Sequence, residues 1–226
     1  MSDAGDRAAR SGSLVAAAAL LFLLTLPARA APLTAAEIAQ TCAGAEDAAH
    51  CGRSIETRQL ARLPGLAVRE GNALVVSLFP AGHATFTDDD DPVAGTSYSL
   101  WDYLDAINSV VLYVTAGDSS RFMLLQRATD RRVDLAAAPR VSPDRQRLVV
   151  ADLCLERCTN EIVVWRISRE GFRKELAWHA PERWSDGDAS WRDASTIAIE
   201  YTAAGTSASR TIERALADPS WTRFPP

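Results

Sequence analysis

The chain has 226 residues, 47% of them hydrophobic and 23% charged, and a formal net charge of −5. This is the composition of a folded globular protein, and its acidic balance argues against a nucleic-acid-binding protein, which needs a basic patch. Lys174 is the only lysine, so a phosphate-binding loop that ends in Gly-Lys has no candidate, and lysine-dependent catalysis would rest on this one residue.

The first 30 residues have the pattern of a secretory signal peptide. Arg7 and Arg10 precede the uncharged apolar run 14–26, and the small-residue site 28–30 follows it. These are the three parts of a cleavable leader, whereas a membrane anchor needs about 20 apolar residues. We therefore predict cleavage after Ala30 and an exported mature chain, periplasmic or secreted, without a membrane span. Its net charge is −6, from 21 basic and 27 acidic residues.

The mature chain opens with a predicted helical lead over residues 31–65. Thr34 and Glu37 form a capping-box pattern in front of an alanine-rich stretch. A second helix is predicted from about Ser54 to Leu63, because Pro-Gly follows at once.

The four cysteines form two local pairs, Cys42 with Cys51 and Cys154 with Cys158. An even number of cysteines in an exported chain predicts disulfide bonds, and proximity favours these local pairings. The alternative is a metal site, but neither pair has C-x-x-C spacing and no histidine stands close to the second pair. We expect two disulfides, no metal and no cofactor.

From residue 66 to residue 226 short β-type runs alternate with turn signals, which predicts an antiparallel, mainly β domain. The predicted strands are 67–70, 73–79, 84–87, 97–104, 110–115, 122–126, 132–135, 148–153, 162–167, 175–179, 197–201 and 210–215.

One stretch resembles a β-propeller blade of the WD type. Residues 141–152 contain Ser-Pro-Asp followed by an apolar run, and residues 160–167 contain Val-Trp. Weaker copies surround Asp105 and Asp193, which lie 39 and 49 residues from Asp144. The resemblance implies about four blade-like units, in a ring or an incomplete ring.

The order of features in the whole mature chain also resembles uncharacterised exported bacterial proteins: a short cysteine-bearing lead, strands, a Ser-Pro-Asp turn and a tryptophan-rich end. This resemblance brings no established activity with it.

No common catalytic signature is present, and we predict no catalytic residues. The motifs G-x-S-x-G, H-E-x-x-H and G-x-G-x-x-G are missing. His50, His83 and His179 are scattered along the chain.

Two segments are candidate binding sites. The first is the acidic run Asp88, Asp89, Asp90 and Asp91. The two interpretations of that run are a cation site and a solvated loop. The solvated loop is the simpler one, because the run lacks the alternating spacing of a calcium loop. The second segment carries Trp184, Asp186, Asp188 and Trp191. Aromatic rings near carboxylates suit a carbohydrate- or peptide-binding surface, although tryptophans more often anchor sheet cores.

These features favour a non-catalytic exported protein that binds an envelope protein or a glycan through its loops. The alternative is an inhibitor or immunity-type protein that blocks an envelope-directed hydrolase with the acidic loop. Cys42, Cys51 and Leu60 resemble the cysteine-bearing segment of lysozyme-inhibitor-like proteins. A second alternative is a hydrolase whose active site is assembled from several blades around His83 or His179.

Overall fold

The computed structural model describes residues 32–91 and 94–225. The predicted signal peptide, residues 1–30, lies outside the described residues. The described residues belong to one compact unit, and 49% of them lie in strands and 14% in helices. In the two described ranges no helix has the length and apolar content needed to cross a membrane.

Two helices open the described chain, α1 (Ala35–Cys42) and α2 (Ala48–Arg62). The predicted capping box of α1 is confirmed: Thr34 Oγ1 accepts the N–H of Glu37, and the Glu37 carboxylate accepts the N–H of Thr34. The second helix begins six residues earlier than predicted, because the Asp47 carboxylate accepts the N–H of His50 at 2.7 Å and caps the helix there.

Both predicted disulfides are confirmed. Cys42 is bonded to Cys51 and ties α1 to α2, and Cys154 is bonded to Cys158. The described chain contains no free cysteine.

Strands make up most of the rest of the described chain. They are β1 (Ala67–Glu70), β2 (Ala73–Ser77), β3 (His83–Thr87), β4 (Thr96–Leu104), β5 (Ser109–Ala116), β6 (Ser119–Gln126), β7 (Arg131–Leu135), β8 (Arg140–Val141), β9 (Arg147–Asp152), β10 (Glu161–Ser168), β11 (Gly171–His179), β12 (Trp184–Trp191), β13 (Thr196–Ala203), β14 (Ser209–Ala215) and β15 (Thr222–Arg223).

The strands form four antiparallel sheets, which confirms the prediction of a mainly β, antiparallel fold. Sheet 1 is β1-β2-β3, sheet 2 is β4-β5-β6-β7, sheet 3 is β15-β11-β10-β9-β8, and sheet 4 is β12-β13-β14. Neighbouring strands follow one another in the sequence, so each sheet is a local meander. The exception is β15, which returns from the chain's end to pair with β11.

Three apolar clusters lie between consecutive sheets. Sheets 1 and 2 share one cluster, sheets 2 and 3 share another, and sheets 3 and 4 share the third. On β5, Val110 and Leu112 enter the first cluster while Val111 enters the second. On β10, Val163 and Val164 divide in the same way between the second and third clusters. Because successive side chains of a strand point to opposite faces, the central strands are buried on both faces and have continuous apolar sequences.

The two outer faces of this stack contact solvent. On sheet 1, Val68 is 48% exposed, and Thr85, which lies two strands away in the same row, is also exposed. On sheet 4, Glu200 and Thr211 are exposed and pair with each other. Among the described residues no apolar cluster joins sheet 4 to sheet 1.

Strand β12 is absent from the predicted strands. Its sequence, Trp-Ser-Asp-Gly-Asp-Ala-Ser-Trp, combines residues that rarely favour strands. In the structure Ala189 faces the core, Asp186 and Asp188 face solvent, and β13 pairs along the whole segment. Pairing and one-sided burial outweigh the low intrinsic strand preference of Asp and Gly.

The Ser-Pro-Asp corner that prompted the propeller comparison forms a compact turn before β9. Ser142 Oγ donates to Asp144 Oδ1 at 2.5 Å, and the N–H of Gln146 donates to the same oxygen at 3.1 Å. Arg145 has a φ of 60°, in the left-handed region that favours glycine. This is the position at which glycine stands in the propeller pattern.

Candidate functional site

The acidic run at the end of β3 divides into two parts with different surroundings. Asp88 forms ion pairs with Arg53 and Arg69 and accepts the N–H of Tyr98 at 2.9 Å. Its side chain is 10% exposed, so it anchors α2 to the sheets and does not belong to a solvated loop. The exposed part of the run starts at Asp89.

Asp89, Asp90 and Asp91 line a cleft of about 420 Å³ beside the N-terminus of α2. Asp47 and Asp118 line the same cleft, so the structure brings five carboxylates to one surface. Within the described ranges no group of three or more His, Cys, Asp or Glu side chains is placed to hold a metal ion. We call this surface the acidic cleft.

The second predicted segment, from Trp184 to Trp191, also has parts with different surroundings: the tryptophans contact the protein, and the aspartates face solvent. Trp184 is 1% exposed and stacks on Tyr201 with ring centroids 3.9 Å apart, so it is a core residue and cannot form part of a binding surface. Trp191 is partly exposed and donates from Nε1 to the carbonyl of Arg140 at 2.9 Å. The two tryptophans therefore stabilise the fold, Trp184 by ring stacking in the core and Trp191 by its hydrogen bond to Arg140.

Asp186 and Asp188 lie on the solvent face of sheet 4, in a depression of about 300 Å³. Asp188 forms an ion pair with Arg140, in which both side chains are more than half exposed. Exposed pairs of this kind contribute little to stability. The depression joins these two carboxylates to Glu200, and Trp184 and Trp191 are not among its lining residues.

A groove that was not predicted from the sequence lies between the N-terminal segment and sheet 2. It has a volume of about 340 Å³ and is lined by residues 32–35, Ile38, residues 101–102, Val111 and residues 138–140. We call it the Trp101 groove. Most of its lining side chains are apolar.

An irregularity in the strand places the groove's aromatic residue. The pairing of β4 with β5 shifts between Leu100 and Asp102, so Trp101 is the extra residue of a β-bulge. Bulges redirect side chains and occur often beside functional sites. The Trp101 ring packs against Phe122 and Tyr113, with centroids 5.2 and 5.3 Å away, which holds the indole in place. The only sequence signal for the groove is Asp102 itself, a charged residue within the apolar strand β4.

Asp102 is the notable ionisable group of the Trp101 groove. Burial raises the pKa of its carboxyl, while the Tyr103 N–H, which donates to Oδ1 at 2.8 Å, and the charge of Arg62 oppose that rise. Among the described residues Asp102 forms no ion pair. A carboxylate that is largely withdrawn from water and has one hydrogen bond can accept further donors.

The three histidines lie on different elements. His50 is in α2, where its Nδ1 accepts the N–H of Glu46 at 3.3 Å. His83 is exposed on β3, and His179 is exposed on β11 with its Nε2 3.5 Å from Glu161. In the described part of the chain no hydrogen bond joins a histidine side chain to a serine or threonine hydroxyl.

Comparisons of the chain with protein-family models, with curated proteins and with solved structures gave no match. No family is therefore assigned to the chain.

Proposed function

We propose that the chain is a non-catalytic, exported binding protein whose ligand occupies the Trp101 groove. The observation that carries this proposal is the groove itself: about 340 Å³, mostly apolar walls, and one largely buried carboxyl. Ligand sites in proteins are typically clefts of about 300–1,000 Å³ with apolar linings and few polar groups.

The four sheets are propeller-like blades in an incomplete ring. Two observations support this part of the proposal: each sheet is a meander that packs on the next sheet in chain order, and the Ser142–Asp144 turn forms the expected corner. Export is supported by the leader pattern of residues 1–30 and by the two disulfides, since such bonds persist in oxidising compartments.

A groove-filling substitution tests the proposal. Ala35 and Ala36 are adjacent and exposed on α1, but only Ala35 lines the groove. Uncharged aliphatic and aromatic fragments should bind the wild-type protein in calorimetric titrations, Ala35→Trp should abolish this binding, and Ala36→Trp should preserve it. The proposal fails if no fragment binds or if Ala35→Trp binds as the wild type does.

The acidic cleft favours a second candidate, an inhibitor of a basic, envelope-directed hydrolase. Five carboxylates on one surface complement a basic partner and accelerate its association at low salt. The test is inhibition of muralytic enzymes by the triple variant Asp89→Asn/Asp90→Asn/Asp91→Asn, with Asp88 left intact because it anchors α2.

A matched variant removes the same charge from sheet 4, by Asp186→Asn, Glu200→Gln and Glu213→Gln. If only the acidic-cleft variant loses inhibition, the inhibitor function is supported. If both variants inhibit as strongly as the wild type, or if none of the three proteins inhibits, the inhibitor function is excluded.

A further inference from the structure

We infer that the Trp101 groove selects a small ligand that carries a primary ammonium group on an apolar body. This inference rests on the proposed function and adds the chemical class of the ligand.

The charges around the groove favour a cation beside Asp102. Of the groove-lining residues only Asp102 and Arg140 ionise, and the Arg140 guanidinium is paired with Asp188 outside the groove. Within residues 32–91 and 94–225, Asp102 accepts a single hydrogen bond, from its neighbour's N–H. Its remaining lone pairs suit the three N–H donors of a primary ammonium group.

Trp101 provides a second preference for the same charge. It is adjacent to Asp102 and lines the groove with it. An indole ring attracts a cation over its face, with an energy of about 0.5–2 kcal/mol that grows as water is excluded. The ring is fixed by Phe122 and Tyr113, so little side-chain ordering is required on binding.

The cost of burying Asp102 gives the recognition a pH dependence. The free protein holds a carboxylate that is partly desolvated and only weakly compensated by Arg62 from α2. A bound ammonium group offsets that cost, whereas protonation of Asp102 removes the attraction. Affinity should therefore increase as the pH rises through the pKa of Asp102. The charged groups near it are Arg62 on α2, whose charge lowers its pKa, and Arg140, which lines the same groove.

The size of the groove argues for a small molecule. A volume of about 340 Å³ exceeds what one lysine side chain would fill. A second copy of the chain could offer only Lys174, which is exposed and lies over the Trp165 ring at 5.7 Å, so its insertion into the groove would first give up this cation–π contact.

Three probes of equal length test the inference on the full exported protein: n-hexylammonium, 1-hexanol and hexanoate, titrated calorimetrically. We expect hexylammonium to bind at least tenfold more tightly than hexanol at pH 7, and hexanoate to bind most weakly. Asp102→Asn should reduce hexylammonium affinity about tenfold and leave hexanol affinity unchanged. Asp134→Asn, which removes an equal charge from an exposed position outside the groove, should change neither. The wild-type affinity for hexylammonium, but not for hexanol, should fall when the pH is lowered from 7 to 4.

The outcomes separate the two proposals. If hexylammonium and hexanol bind equally, or hexanoate binds best, the ammonium preference is overturned while the groove remains a binding site. If none of the probes binds, both proposals are overturned. If a lysine peptide with acetylated and amidated ends binds more tightly than hexylammonium, the occupant is a protein side chain and the small-molecule assignment is overturned.

Discussion

The carboxylate of Glu56 accepts the backbone N–H of Leu100 at 3.0 Å. Glu56 lies on α2 and Leu100 on β4, so a helix side chain takes the place of a neighbouring strand. Gln59 extends this arrangement by donating to the carbonyl of Trp101 at 2.6 Å, and Arg53 donates to the carbonyl of Tyr98 at 2.7 Å. Exposed strand edges promote aggregation, and natural proteins often cover them. Helix α2 covers the edge of sheet 2 next to the Trp101 groove.

Glu56→Ala should destabilise the protein by roughly 3 kcal/mol, because it leaves the buried N–H of Leu100 without its acceptor and removes one of the two carboxylates that pair with Arg69. The Glu56 side chain is 4% exposed and lies 2.6 Å from Arg69. Urea unfolding measures the change. Thr57→Ala, on the exposed side of the same helix, is the control and should stay within about 0.5 kcal/mol of the wild type. Equal losses in the two variants would contradict the structural role of Glu56.

Asp102→Asn should stabilise the folded protein at pH 7. Burial raises the pKa of Asp102 above its ordinary value of 3.8, so the folded state binds more protons than the unfolded state and its stability falls as the pH rises between those two values. Asn has no charge to bury. Urea unfolding should show a higher free energy of unfolding for the variant than for the wild type at pH 7. This difference should become smaller near pH 3. A variant that is less stable than the wild type at pH 7 would contradict this expectation.

Asp144→Ala should lower the free energy of unfolding by about 1 kcal/mol at pH 7, because it removes a partly exposed carboxylate that accepts two hydrogen bonds. The Ser142 hydroxyl, followed by the Gln146 N–H and the charge of Arg147, lowers the pKa of Asp144. Its stabilising effect is therefore present above the unfolded-state pKa and is lost as the pH falls through the folded-state value. Thermal unfolding at several pH values checks this.

Asp134→Ala serves as the control for that substitution. Asp134 is 60% exposed and, in the part of the chain that the structure describes, forms an ion pair only with Arg121, so its removal should change the free energy of unfolding by less than about 0.5 kcal/mol. A pH-independent loss in Asp144→Ala would show that its carboxylate charge is irrelevant to the turn.

Removing the first disulfide, by Cys42→Ser/Cys51→Ser, should weaken ligand binding in the Trp101 groove roughly tenfold, because the groove wall must then be ordered on binding. Helix α1 has no buried residue and is joined to α2 by this bond and by the Arg58–Thr41 hydrogen bond. Residues 32–35 and Ile38 form one wall of the groove.

The matched variant is Cys154→Ser/Cys158→Ser, which breaks a disulfide that lines no part of the groove. It should bind hexylammonium as the wild type does. Equal binding by both double variants would show that α1 keeps its position without the Cys42–Cys51 bond.

Sequence patterns located features that depend on neighbours along the chain. The capping box at Thr34 and Glu37, the two short-range disulfides and the hairpin strands are visible because their partners lie within a few residues. The continuous apolar runs of β5 and β10 also follow from burial on both faces. Strand β12 escaped prediction because its pairing with β13 outweighs its composition.

The sequence by itself therefore determined the mainly β class, the helical lead and the cysteine pairing, since these arise from local hydrogen bonds, periodicity and short loops. Only the tertiary structure decided that Asp88 is an anchor while Asp89 is exposed, that Trp184 is a core residue, and that Asp102 lies in a groove. These outcomes depend on contacts between residues far apart in the chain and on a one-residue bulge at Trp101. Register shifts of that size reverse the direction of a side chain without leaving a mark in the composition.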